Sequence, residues 1–250
     1  MSERPRQFLL LTATVRPNTT TKLAVVSPAV RLSQYRSALA KWVETAKALR
    51  AEIIVVETSG ADRATFIGEL DDADRALARF VNYSPSTEVI ARGIGYIEWS
   101  AIRHALDQLR LREDDTVYKV TGRLVVTNPE QVFGVLPSRT VRLRTRVDGS
   151  HSDTRVVGGT VGTWRSVLLP AADDVDYARR IEIEHTVAAR VRLARTLGAV
   201  DVSSFPRRPL YAGQSGTNGS TYSPWKTFAQ GVVVRPFEPL VAFAARSISR

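Results

Sequence analysis

The sequence predicts an α/β fold: a mostly parallel central sheet flanked by helices. Three observations carry that reading. Two short apolar runs rich in β-branched residues, 8–15 and 52–56, have the composition of strands buried on both faces. Between them, residues 31–51 place Leu32, Tyr35, Leu39, Trp42, Val43, Ala46 and Leu49 at helical spacing. The same alternation of strand and helix signals continues to about residue 130, which favours parallel strands joined by crossover helices.

Taken in order, FLLLTATV is the first strand, and Ser27-Pro28 supplies a start signal for the helix that follows. The second strand, EIIVV, ends in the polar turn Glu57-Thr58-Ser59-Gly60. A short helix is expected around 63–70, a strand over 78–83, an amphipathic helix over 96–111 and a strand over 117–120. The second half is less regular. Residues 141–147 alternate apolar residues with arginine, as a strand wet on one face does, and 155–161 is suited to pair beside it. A long Arg/Glu-rich helix is expected over 177–197. Residues 205–224 read as loop, with Gly213, Gly216 and Gly219 as hinges of a lid or of a plain linker. The valines after Gly231 look strand-like, and 240–248 carries an amphipathic pattern. No repeat or low-complexity linker divides the chain, so one domain over 1–250 is expected.

Composition narrows the function. With 250 residues and 44% hydrophobic content the chain can bury a core without covalent staples. It has no cysteine, which removes disulfides, thiolate metal sites and cysteine nucleophiles. FLLL is too short for a signal-peptide core, and no apolar stretch reaches membrane-spanning length, so a cytoplasmic protein, at most peripheral on the inner membrane, is expected. The net charge of +10 suits nucleic acid, an anionic surface or phosphorylated small molecules. The arginines are scattered, and no zinc-finger or RNP-like motif is present, which argues against nucleic acid.

Ligands of open parallel sheets sit at the carboxyl ends of the strands. Four polar clusters fall there: Thr12, Thr14 and Arg16; Glu57 to Gly60, including Ser59; the loop Arg92-Gly93-Ile94-Gly95-Tyr96-Ile97-Glu98; and Lys119, Thr121, Gly122, Arg123 and Asn128. Gly93 and Gly95 at a helix start either let backbone N–H groups approach a phosphate or serve packing alone. The loop is neither a Walker loop nor a GxGxxG fingerprint.

The blocks FLLLTATVRPN, RLSQYRSALAKWV, IIVVETSG, RGIGYIEWSAIRHAL and YKVTGRLVVTN, in that order, resemble a bacterial glycosyltransferase-like family of capsule and lipopolysaccharide gene clusters. The resemblance covers residues 8–130, and it implies a nucleotide-donor half (1–130) and an acceptor half (131–250) within the one domain. It implies a GT-A-like nucleotide-binding fold and a nucleotide-sugar donor, with a surface-polysaccharide or lipid-linked glycan as acceptor. It further implies that Thr12, Arg16 and Glu57 line the nucleotide pocket and that Gly93, Gly95 and Glu98 face the donor. Lys119, Thr121, Arg123 and Asn128 would lie near the diphosphate or sugar. GT-A enzymes at large carry an Asp-x-Asp where this chain reads YKVTGR. Without those carboxylates no divalent metal or other cofactor is expected, and Lys119 and Arg123 would neutralise the leaving group instead.

A catalytic base is required if the acceptor attacks with inversion. Glu98, Asp153, Glu182, Glu184 and His185 are candidates. Glu182 and His185 lie three apart in a helical pattern, as a base with its orienter or as a solvated face. The apolar, arginine-bearing tail reads as core packing or as an interfacial anchor. A sugar nucleotidyltransferase and a non-catalytic polyanion- or RNA-binding module are the rival readings. The first is disfavoured because ATVRPNTTT after strand one lacks glycine.

Overall fold

The two apolar runs lie side by side in the middle of a sheet, where both faces of each strand need cover. The computed structural model describes residues 4–17, 19, 23–214 and 219–222. β1 (Gln7–Ala13) pairs in parallel with β2 (Glu52–Glu57), and β3 (Ala78–Asn82) continues in parallel beyond β2. On its other side β1 pairs in parallel with β4 (Thr116–Thr121). β6 (Thr140–Thr145), β7 (Ser152–Thr160) and β8 (Asp201–Ser203) complete the order β3-β2-β1-β4-β7-β6-β8. Of these described strands only β7 runs against its neighbours. A smaller antiparallel sheet joins β5 (Leu124–Val126) to β9 (Tyr211–Gln214) and β10 (Thr221–Tyr222). The mostly parallel α/β architecture is the one the sequence predicts.

Alternate residues of β1 feed two cores. Leu9 and Leu11 pack with Tyr35, Leu39 and Trp42 of α1 (Pro28–Leu49). Phe8 and Leu10 pack with Trp99, Ile102 and Leu106 of α5 (Ile94–Leu109), and with Val187 and Val191 of α7 (Ile183–Thr196). Short helices α2 (Arg63–Ile67), α3 (Asp72–Ala76) and α4 (Thr87–Ala91) lie between these elements along the chain. The start signal of α1 acts as read: Pro28 opens the helix, and the Ser27 hydroxyl accepts from the Val30 N–H. Three buried indoles each donate to a carbonyl: Trp42 to Leu124, Trp99 to Leu168 and Trp164 to Val117, at 2.9–3.0 Å. Each ring is thereby fixed in orientation while burying a large apolar area.

The topology creates a crevice. From β1 the chain moves to β2 and β3 on one side, then crosses to β4 on the other. α1, which follows β1, covers one face and α5, which precedes β4, the opposite one, so the strand order reverses between β1 and β4 and the crevice lies at their carboxyl ends.

The second half departs from expectation in several places. The helix expected over 177–197 begins only at Ile183. Residues 176–181 form a turn closed by two Asp176–Ile181 backbone hydrogen bonds, with Arg180 left-handed (φ 58°), a conformation no α-helix tolerates. The region read as loop supplies β9 and β10. α6 (Val161–Thr163) runs on through a π turn (Trp164–Leu168) into a 3-10 turn (Leu169–Asp174), a segment without a clear sequence period. Gly216, the run from Gly231 and the 240–248 pattern lie outside the described residues. No described helix is long and apolar enough to cross a membrane.

At Gly158 of β7 a Cβ would stand 2.4 Å from the ring of the fully buried Tyr118. Gly158→Ala should therefore destabilise the fold by roughly 1–3 kcal/mol, the usual range for overpacking. Urea denaturation reads this directly. An unchanged midpoint would contradict the packing described for β4 and β7.

Candidate functional site

Gly122, just past β4, donates its N–H to the Thr12 carbonyl at 3.0 Å. A Cβ there would lie 2.6 Å from that oxygen, so glycine lets the ends of β1 and β4 stay this close. The next residue, Arg123, turns to the α1 face. Its Nη1 donates to Gln34 Oε1 at 3.0 Å, and its guanidinium lies 5.7 Å from the Tyr35 ring centroid. Arg31, in the first turn of α1, donates to the carbonyls of Thr14 (2.6 Å) and Val25 (3.1 Å) and to the Tyr35 hydroxyl (3.4 Å). The two arginines are only 6% and 4% exposed. Among the described residues neither has a carboxylate partner, and Arg123 Nε has no hydrogen-bond partner at all. Burial pushes the Arg123 guanidinium below its ordinary value; Tyr35 opposes the shift and Arg31 adds to it. Two buried positive charges without a counter-charge make this corner favourable for an anion.

Beside this corner lies a cleft of about 250 Å³ lined by Val15, Arg16, Pro28, Leu32, Gly60 and Asp62, among others. Its walls are the loops leaving β1 and β2, the start of α1 and Thr65 of α2. Glu57 ties these loops together. It is wholly buried and accepts from the N–H groups of Val15, Ser59 and Ala61 at 2.8–3.0 Å, and from the Ser59 hydroxyl. The expectation that Glu57 lines the pocket is thus corrected: its oxygens are spent on backbone, and it shapes the cleft from behind. Ser59 works with it, its hydroxyl accepting from the Arg16 N–H at 2.8 Å, while the Arg16 side chain stays exposed at the cleft rim.

The opposite face of the sheet edge holds a polar chain. The Thr12 hydroxyl donates to Glu98 Oε1 at 2.6 Å, and Lys119 Nζ lies 2.9 Å from the same oxygen. Lys119 also donates to the Thr154 carbonyl (2.7 Å) and approaches the Thr121 hydroxyl (3.5 Å). The Thr154 hydroxyl donates to Glu184 Oε1 at 2.7 Å. Register between β6 and β7 shifts at this point, a bulge that accommodates Thr154 beside Lys119. Lys119 is therefore sealed beneath the sheet edge and does not reach into the crevice, contrary to the expectation that it lies at the diphosphate.

Several other expectations change. A Cβ on Gly93 (φ 90°) would meet the Tyr177 ring at 2.8 Å, and one on Gly95 would meet Ile183 at 2.7 Å. These glycines admit the 176–183 segment of the chain; they do not bare backbone to a donor. Asn128 donates to the Arg208 carbonyl and accepts from the Leu210 N–H, fastening β5 to the approach to β9. Asp153 pairs with Arg155 at 2.6 Å and with Arg144 at 3.7 Å. Burial raises its pKa, but the hydrogen bonds and charge of Arg155 outweigh this and hold the carboxyl below the usual range, unsuited to a base. Glu182 precedes α7, and its contact with His185 is a backbone N–H to Nδ1 bond of 3.3 Å that caps the helix. His185 is exposed and stacks edge-on against His151. Thr12, Thr121, Glu98, Arg16 and Arg123 remain gathered around the crevice. Sequence reasoning missed Arg31, Gln34 and Tyr35 as a group. The available signal was Arg31 itself, a charge in phase with Tyr35, Leu39 and Trp42 on the apolar stripe of α1.

The chain matches no protein-family profile and no curated protein. Among solved structures it is similar to a protein from Desulfovibrio desulfuricans G20 named as a nucleotide-diphospho-sugar transferase, with 12% identity, 80% of each chain covered and a TM-score of 0.47. It is also similar to the galactosyltransferase LgtC in complex with donor and acceptor sugar analogues, with 13% identity, 78% of this chain and 73% of that chain covered, and a TM-score of 0.49. Values this low transfer no residue role, so the site rests on its own geometry.

Glu57→Ala would leave three backbone N–H groups without their acceptor. A loss of about 3 kcal/mol is expected, near the upper end for one buried group, and a wild-type denaturation midpoint would refute the loop-tying role. The depressed Asp153 carboxyl contributes stability above its unfolded value, about pH 4, that is lost as pH falls through the folded value. Asp153→Asn should be less stable at neutral pH and show a shallower acid loss. Parallel stability–pH curves for the two proteins would contradict the Asp153–Arg155 pairing.

Proposed function

We propose that this chain is a nucleotide-sugar-dependent glycosyltransferase that works without a divalent metal. It acts as a single domain, cytoplasmic and at most peripheral on the inner membrane, on a surface-polysaccharide or lipid-linked glycan acceptor. The observation that carries the reading is the buried pair Arg31 and Arg123 at the β1–β4 crevice, which has no carboxylate partner among the described residues. A leaving nucleoside diphosphate is the kind of anion such a corner favours, since guanidinium binds phosphate oxygens through charge-assisted, often bidentate hydrogen bonds. The neighbouring cleft, walled by Val15, Leu32 and Pro28 with polar Asp62 and Arg16 at its edge, suits the nucleoside.

The chemistry at the end of β4 supports metal independence: the chain carries the cation Arg123 where a metal site would need carboxylates. Arg123 then supplies the electrostatic stabilisation of the departing diphosphate. Across the sheet edge, Glu98 is the carboxylate left to receive the acceptor hydroxyl's proton; its side chain is 23% exposed. The resemblance in the sequence blocks around Thr12, Glu98 and Arg123 points the same way.

Release of nucleoside diphosphate from a panel of nucleotide sugars, with glycan acceptors supplied, tests the assignment. Arg123→Ala should fold normally and lose about 100-fold or more in turnover, the usual cost of removing one charge-stabilising donor. Arg123→Lys, which keeps the charge and loses the fork, should fall between. Wild-type turnover by a folded Arg123→Ala variant would overturn the role of this corner.

A further inference from the structure

Lys119 is the most deeply buried cation among the described residues of the candidate site. It follows Val117 on the α5 face of β4, 1% exposed, with the Trp99 ring 5.3 Å from Nζ. An apolar side chain would be the default occupant. A buried ion pair is weak evidence for stability, because desolvation offsets most of the attraction. The geometry around it is specific instead. Three groups surround Nζ: Glu98 Oε1 at 2.9 Å, the Thr154 carbonyl at 2.7 Å and the Thr121 hydroxyl at 3.5 Å. Glu98 Oε1 also takes the Thr12 hydroxyl at 2.6 Å. Both anchors therefore hold the same oxygen. Among the described residues Oε2 has no partner, and the side chain keeps 23% of its surface exposed. A pair built only for packing would be expected to engage both oxygens. Here one is pinned and the other is left available.

Resting on the transferase reading, we propose that Lys119 is a positioning residue: it fixes Glu98 through Oε1 so that Oε2 receives the proton of the acceptor hydroxyl. In the step, the acceptor oxygen bonds to the anomeric carbon as its proton passes to Oε2. The bond from that carbon to the phosphate oxygen breaks, and its electron pair leaves on the nucleoside diphosphate beside Arg123. Solvent then takes the proton from the half-open carboxyl. Thr154 holds Lys119 from the far side, and its hydroxyl ties the arrangement to Glu184 in the first turn of α7.

Lys119→Met, Lys119→Arg and Glu98→Gln test this with three readouts. Calorimetry with UDP, GDP, CDP and dTDP measures nucleotide binding, nucleotide-sugar turnover gives kcat and KM, and the ¹⁵Nζ ammonium resonance of Lys119 reports its pairing. Lys119→Met should keep nucleotide affinity within about twofold and donor KM unchanged while kcat falls about 100-fold, the scale of a lost general base. Lys119→Arg should recover at least a tenth of wild-type kcat. Glu98→Gln, at a half-open position, should match Lys119→Met in kcat and shift the Lys119 resonance in an otherwise native spectrum. Wild-type kcat in Lys119→Met, a parallel loss of nucleotide affinity and kcat, or a Lys119 resonance unmoved by Glu98→Gln would each overturn the positioning role while leaving the transferase reading standing. A wild-type protein that binds a nucleoside diphosphate but turns over no nucleotide sugar would contradict the transferase reading, and the positioning proposal would fall with it.

Discussion

Because β1 and β4 pair in parallel from Gln7–Thr116 to Thr12–Thr121, the register of two strands decides which side chains meet at the sheet edge. Thr12 and Thr121 arrive together, and Gly122 closes the pairing on the Thr12 carbonyl with no room for a Cβ. A slip of one residue would turn Lys119 toward α1 and send Tyr118 into the opposite core, since strand side chains alternate faces. Everything at the crevice, from the Arg123 corner to the Glu98 chain, inherits its position from this pairing. The same pairing is the point at which the chain changes direction across the sheet, so the constraint that builds the fold also builds the site.

The two sides of that edge treat charge differently. On the α5 side the cation Lys119 is matched by Glu98, and the network is nearly closed. On the α1 side Arg31 is absorbed by carbonyls and the Tyr35 hydroxyl, while among the described residues Arg123 has only the neutral Gln34 and the face of Tyr35. An unmatched guanidinium in a low-dielectric corner is costly to the apoprotein, and an arriving dianion relieves that cost. In the proposed reaction, one side serves the departing charge and the other the proton. Neighbouring acids are not free to take either role: Asp153 is neutralised by Arg155 and Arg144, and Glu57 is consumed by loop amides.

The first half of the chain was legible because its signals are local. β1 and β2 are continuous apolar runs, and α1 carries both its period and its Ser27-Pro28 start, so their ends fall within a few residues of the structure. Three of the four polar clusters do lie at or just past the ends of β1, β2 and β4, whereas the Gly93–Glu98 cluster opens α5 after the intervening α4. What each residue does within those clusters was not legible. Glycines at a helix start look alike whether they admit a phosphate or, as Gly93 and Gly95 do, a Tyr177 ring and an Ile183 side chain. The partner lies some eighty residues away, beyond any local pattern. Glu57 and Asn128 misled for the same reason, being polar residues whose hydrogen bonds close tertiary contacts. The 177–197 helix was over-extended because the Asp176–Ile181 bridge and the left-handed Arg180 leave no trace in composition.

The central claim is that the Arg123 corner takes a nucleotide without the help of a metal. Thermal denaturation of the purified protein with UDP, GDP, CMP or dTDP, each with EDTA and with Mg²⁺ or Mn²⁺, addresses it most directly. Ligand at a hundredfold excess over Kd stabilises the native state by about 2.7 kcal/mol, a readily measured rise in Tm. The account predicts a rise with one nucleotide that is the same in EDTA as in metal. A rise that appears only with metal, or none with any nucleotide, would contradict it.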